Sequence, residues 1–240
     1  MESGLYVALS SQVALERRLT TIADNMANTS TVGYRATGVK FEDLVTGTGS
    51  GSVSFVSSGD TYIANTNGSL RETGNPLDFA IQGDAWFAFQ GPNGTVMTRD
   101  GRFSMLNTGE LVTLGGYPVL DAGGAPLQLD PLGGAPESGA DGMLRQNGRQ
   151  IGALGLYQFT PGVNFTRFGN SGIVPEGNPV PIVDQQDVGV AQGFVEDSNV
   201  NAVKEMMELI QVQRAFDQVT ALMRDSEEAV DTSIRTLGSS

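Results

Sequence analysis

The sequence predicts an α+β fold: a mostly antiparallel β central domain, either a sandwich or an irregular barrel, with a long helix at each end. Three observations carry this. Residues 1–32 hold one glycine, Gly4, and no proline. Residues 198–237 hold neither. All ten prolines fall between residues 33 and 195. Proline and glycine break helices and mark turns, so this distribution separates two helical ends from a turn-rich middle.

In the first segment, residues 1–32, Leu5, Ala8, Gln12, Leu15, Leu19, Ile22 and Met26 are spaced alternately three and four apart. That is the 3.5-residue period of a coiled-coil stripe, interrupted once at Gln12. Asn28-Thr29-Ser30-Thr31-Val32-Gly33 stops the helix with turn and β-branched residues. Residues 33–75 read as a linker and extended β segment. Within it, the Gly-, Ser- and Thr-rich stretch 46–58 reads as a flexible connection.

The central β domain is predicted over 76–195. Leu77 to Gly83 and Trp86 to Phe89 alternate as strands do, and Asn93-Gly94, Asp100-Gly101, Asp141-Gly142 and Asn147-Gly148 are short-turn signals. Val96 to Arg99 and Arg102 to Met105 are expected to form a hairpin across Asp100-Gly101. Met143 to Gln146 and Gln150 to Phe159 are expected to form another across Asn147-Gly148.

The last segment, 196–240, repeats the helical pattern. Met206, Leu209, Gln213, Phe216, Thr220, Met223, Glu227, Val230, Ile234 and Leu237 alternate by three and four. Val203, Ile210, Val212, Val219 and Leu222 widen the apolar face. Either Ser198 or Asn201 can cap the start. Gly238 ends the helix.

Composition narrows the function. The formal net charge of -13 opposes binding to nucleic acid or to anionic membranes. The absence of cysteine and histidine removes disulfides, thiolate metal sites and every triad built on an imidazole. No cofactor and no metal ligand set is expected. The start carries Glu2 in place of a basic region, so no cleavable signal peptide is read there. No stretch approaches the roughly 20 apolar residues of a membrane span, so no membrane insertion is expected. The adjacent acids Glu196–Asp197 and Glu227–Glu228 read as solvated charged faces, because neighbours on a helix or strand do not face each other. A carboxylate hydrolase needs only two acids from different strands, but one tryptophan is thin lining for a sugar cleft. No catalytic residue is assigned.

Both apolar stripes lie at the extremes of the chain, both are long, and neither is interleaved with other helices. Such seams find their cover in another chain. The expected assembly surface is Leu5, Ala8, Leu15, Leu19, Ile22, Asn25, Met26 and Asn28 at the first helix. At the second it is Ser198, Asn199, Asn201, Met206, Leu209, Phe216, Met223, Val230 and Ile234. Before assembly the exposed seams are expected to leave both ends largely unfolded. A secreted β-rich binding module with helical ends is the competing reading.

Several motifs then resemble one family. Ala23-Asp24-Asn25-Met26-Ala27-Asn28 with Gly33-Tyr34-Arg35, Gly74-Asn75-Pro76-Leu77-Asp78-Phe79 through Trp86-Phe87, and Thr98-Arg99-Asp100-Gly101-Arg102-Phe103 are similar to signatures of the flagellar rod and hook proteins. So are Ser198-Asn199-Val200-Asn201 and Gln213-Arg214-Ala215-Phe216. The length and the 35–45 stretch resemble the proximal-rod members, with the distal-rod members as the alternative. The resemblance implies a periplasmic rod subunit, exported unfolded by the flagellar type III machinery and partnered with itself and other rod proteins. It also implies that the two end helices pair in a coiled-coil-like assembly with the β domain outside.

Overall fold

The computed structural model describes residues 2–48, 51–57, 59–182 and 187–238. The chain divides into two compact units. A helical unit comprises Met1–Ala27, Thr37–Tyr62 and Asn201–Ser240; a β unit comprises Asn28–Ala36 and Ile63–Val200.

In the helical unit, α1 spans Glu2–Ala27 and α2 spans Ala202–Gly238. At 1.5 Å per residue they are about 39 and 55 Å long. Between them in sequence, Asp43–Thr48 pairs antiparallel with Gly51–Val56, with Asp43 opposite Val56 and Thr48 opposite Gly51. This corrects the expectation of a flexible connection over 46–58. Val45, Thr46, Val53, Phe55 and Val56 supply the β-branched and aromatic residues that favour strands. Strand Thr37–Lys40 pairs with Asp60–Ile63.

The β unit is built on a six-stranded sheet in the order Thr166–Phe168, Gly172–Val174, Gly94–Thr98, Trp86–Gly91, Leu156–Gln158, Val180–Pro181. Each neighbouring pair is antiparallel. Strand Trp86–Gly91 organises the core by its period of two. Phe87 enters a cluster with Phe79, Phe103, Leu111, Leu127 and Leu144. Trp86 and Ala88 enter a second one with Met97, Tyr157 and Ile173. The strand is therefore buried on both faces. Each fully buried side chain of this size contributes ~1.5–3 kcal/mol.

The predicted hairpin over Asn147-Gly148 forms between Met143–Gln146 and Arg149–Ala153. The predicted hairpin over Asp100-Gly101 does not. Gly94–Thr98 pairs back onto Trp86–Gly91, whereas Phe103–Met105 pairs forward onto Leu111–Thr113. Asp100-Gly101 is instead a corner. Asp100 Oδ1 accepts from the Arg102 amide at 3.1 Å, and a Cβ on Gly101 would lie 1.7 Å from the Phe79 carbonyl oxygen. The chain turns there to pass close over another strand, which local turn chemistry does not reveal.

Candidate assembly site

α1 and α2 pack against each other in the helical unit. Asn25 Nδ2 donates to Glu205 Oε1 at 3.3 Å, and Arg18 pairs with Glu208 at 3.5 Å. Moving back along α1 thus moves forward along α2, so the helices run antiparallel, with the end of α1 beside the start of α2. On α1, Ile22 and Ala14 are buried, and Ala8, Gln12, Leu15, Leu19 and Met26 are half-buried. On α2, the predicted Leu209, Phe216 and Met223 are half-buried. The most buried apolar residue there is Val212, at 5% exposure, and Val219 is half-buried. The inward line therefore runs through 205, 212 and 219 and not through 206 and 213, while Thr220 is half-buried beside Val219. A valine at 212 packs better than Gln213, and the wide apolar face of the sequence is compatible with either rotation.

That rotation leaves Met206 52% exposed, together with Val203, Met207, Ile210 and Leu222. On α1, Tyr6, Leu9 and Val13 form an exposed stripe at i, i+3 and i+7. Leu5, Val230 and Ile234 belong to the helices, but their side chains lie outside the described residues.

Asn25, only 3% exposed, acts within the chain. Its amide reproduces a strand-like pairing with the backbone of Thr37: Oδ1 accepts from the Thr37 amide and Nδ2 donates to the Thr37 carbonyl, both at 2.9 Å. Burial raises the pKa of Glu205 above the usual carboxylate value; the Asn25 hydrogen bond opposes that shift and Glu208 adds to it. Asn201 caps α2. Its Oδ1 accepts from the amides of Val203 and Lys204, each at 3.1 Å, and its carbonyl accepts from Glu205 at 3.0 Å. Ser198 instead accepts from the Val200 amide at 3.3 Å, one turn too early to cap.

In the β unit, the chain leaving α1 and the chain leading to α2 are joined. The Gly33 amide donates to the Glu196 carbonyl at 2.7 Å, and the Asn199 amide to the Tyr34 carbonyl at 3.3 Å. Asn199 Oδ1 accepts from the Ala36 amide at 2.7 Å, while its Nδ2 donates to the Thr66 carbonyl at 2.8 Å. Gly33 has φ +69°, and a Cβ there would lie 2.2 Å from the Asp100 amide nitrogen. Only glycine permits both the conformation and the approach. Asn28, half-buried, shapes the turn by accepting from Thr31 Oγ1 at 3.0 Å.

Beneath this junction lies a buried charge cluster. Glu196, 1% exposed, accepts from Arg99 Nε at 2.7 Å and pairs with Arg35 at 3.0 Å. The Gly68 amide adds a bond at 2.9 Å. Arg99 also donates to the carbonyls of Ile81, Gly83 and Ala85. Arg35 donates to those of Asn65 and Thr66 and to Asn67 Oδ1, but its Nε has no partner among the described residues. Burial pulls the Arg35 pKa down to about 10 against the pull of Glu196, so it stays charged at neutral pH. The expectation that Glu196–Asp197 is a solvated face is therefore half wrong. Strand alternation turns Glu196 inward and sends Asp197 to the surface, where it pairs with Arg71 at 3.0 Å. A usable signal was present: Arg99 ends the run Val96-Met97-Thr98, and apolar continuity of that kind marks a strand buried on both faces.

Among the described residues no group of His, Cys, Asp and Glu could hold a metal ion. No described helix is long and apolar enough to cross a membrane.

Comparison with known proteins follows the same three-part layout. Residues 5–35 match the family model for flagella basal body rod proteins. Residues 80–144 match that of the flagellar hook protein FlgE/F/G D1 domain, and residues 191–236 that of the flagellar basal body rod FlgEFG protein C-terminal region. The chain is 66% identical to the flagellar basal-body rod protein FlgF of Mesorhizobium japonicum, covering 100% of this chain and 99% of the relative. It is 57% identical to FlgF of Rhizobium meliloti over the whole of both chains. Similarity to FlgG of Bacillus subtilis is lower, 31% over 95% of this chain and 96% of the relative.

Proposed function

The chain belongs to the FlgF family of flagellar basal-body rod proteins, and from that premise we propose how its two ends make it a rod subunit. It is a structural component of the bacterial flagellar basal body that assembles with other rod and hook proteins. We read it as a chain without catalysis, whose work is to polymerise in the periplasm through α1 and α2. Those helices pair in a coiled-coil-like manner with each other and with neighbouring subunits. The flagellar type III machinery exports the chain, and both ends order only when neighbours cover them.

One observation carries this reading. Packed together, α1 and α2 still leave Tyr6, Leu9, Val13, Met206, Ile210 and Leu222 in water. Exposed apolar residues at helical spacing along α1, at 6, 9 and 13, and at the start of α2, at 203, 206 and 210, are an unfinished interface. The inward seam residues Leu15, Leu19, Ile22, Leu209, Phe216 and Met223 hold the pair together, and the outward stripe meets the next subunit. Asn25, Asn28, Ser198, Asn199 and Asn201 shape the helix ends from within the chain.

Deleting the gene and imaging basal bodies tests the role: cells are expected to lose swimming and to carry truncated rods, and intact flagella would refute it. Far-UV circular dichroism of the full-length and end-trimmed monomer tests ordering on assembly. Trimming is expected to remove little helical signal, and a loss proportional to the residues removed would show ends already folded.

A further inference from the structure

We infer that Glu196 is a latch that lets the N-terminal root of the molecule, residues 28–36, seat on the β unit only after the C-terminal root, residues 194–200, is in place. The root that follows α1 brings one buried cation, Arg35, towards a site already occupied by another, Arg99. Glu196 is the carboxylate that pairs with both, at 3.0 and 2.7 Å. Without it, seating the root would bury two guanidinium groups together with no paired carboxylate, only the longer-range pull of Asp84 on Arg35, which is strongly unfavourable. The backbone bonds impose the same order, because the Gly33 and Ala36 amides donate to Glu196 and Asn199.

The two arginines are not equally committed. Arg99 is held by three carbonyls of residues 81–85 inside the unit. Arg35 is held by two carbonyls and by Asn67 Oδ1, on a segment outside the strands of the unit, and its Nε has no partner among the described residues. Loss of the carboxylate is therefore relieved by expelling residues 28–36, with the core intact. Arg35 lies eight residues beyond the end of α1, and Glu196 six before the start of α2. A chain that has not yet delivered its last fifth thus leaves α1 untethered. Complete chains root both helices at adjacent points. The device acts as a completeness check on the chain, and it rests on the rod-subunit reading only for its purpose.

Amide exchange on the full-length free chain tests it, independently of any rod. The reporters are the amides of Gly33, Ala36 and Ala64, the last donating to the Ala36 carbonyl. The controls are Val119 and Leu127 in the core. Glu196→Gln is expected to speed the reporters at least about tenfold while the controls stay within about threefold of the original chain. Unchanged reporters, or reporters and controls accelerating together, would overturn the latch. Should Glu196→Gln fail to fold, the double variant Arg35→Gln/Glu196→Gln decides. With the second cation gone the root is expected to reseat, bringing the reporters back to within about threefold of the original chain. Reporters that stay open in the double variant, or a double variant that also fails to fold, would reject the charge mechanism.

Discussion

The β unit and the helical unit bury their residues to different degrees of completion. In the β unit a single strand sends Phe87 to one cluster and Trp86 to another, and even its charges are paired in the interior. In the helical unit α2 has one fully buried apolar side chain, Val212, among the described residues, while five large ones stay in water. The first unit has a closed core, and its exposed apolar residues, such as Leu114, Leu132 and Val180, are scattered over loops and edges. The second leaves apolar residues at helical spacing along α1 and at the start of α2 in water. On the proposed reading, stability and assembly are separable properties, housed in different parts of the sequence.

That separation can be broken or sharpened by substitution, because the only tryptophan, Trp86, reports on the β unit of the free chain while the helical dichroism of assembled chains reports mainly on α1 and α2. The largest effect is expected from Arg99→Met, which takes a donor from three carbonyls and from Glu196 Oε2. Chemical denaturation followed by Trp86 fluorescence should show a loss of about 3–5 kcal/mol. A loss below about 1 kcal/mol would mean that the buried cluster is not what closes the β unit. Asn25→Ala should act on the other unit. It removes the side-chain partner of the Thr37 amide and carbonyl, at a cost of about 1–3 kcal/mol to the helical transition, with the tryptophan transition unmoved. Asn201→Ala removes the cap of α2 and should weaken the same transition by about 1 kcal/mol.

Glu205→Gln is the smallest of these changes and has the opposite sign. Because burial raises the folded-state pKa of Glu205 above its unfolded value, its ionised form opposes folding. The penalty is absent below the unfolded pKa and grows as pH rises through the folded one. The glutamine, which can still accept from Asn25, should stabilise the helical unit slightly at pH 7, by less than about 1 kcal/mol for so exposed a group. The gain should vanish at acid pH. A variant less stable than the original chain at pH 7 would reverse the assignment.

Much of this architecture was legible in the sequence. Proline-free ends and 3–4 spacing located α1 and α2, and Asn28 to Gly33 stopped α1 close to where it ends, at Ala27. Asn147-Gly148 gave its hairpin because a two-residue turn with both φ positive is a local matter. The failures all concern long-range partners. Gly101 is selected by the Phe79 carbonyl above it, which no turn rule contains. Residues 46–48 and 51–56 are strand by pairing, although their composition suits a linker. Glu196 is buried because Arg35 and Arg99 arrive from positions 161 and 97 residues away, and neighbouring residues carry no trace of that. The rotation of α2 was hidden for a related reason: a face that is apolar over a wide arc does not say which line within it meets α1.

The exposed stripe is the point on which the account stands. Basal bodies purified from cells whose own copy is replaced by the Leu9→Ser/Ile210→Ser chain test it most directly. Both residues are exposed, so the free chain should keep its stability within about 0.5 kcal/mol per site. The account predicts a normally folded β unit by tryptophan fluorescence and rods that stop short. Complete rods built from that chain would contradict it.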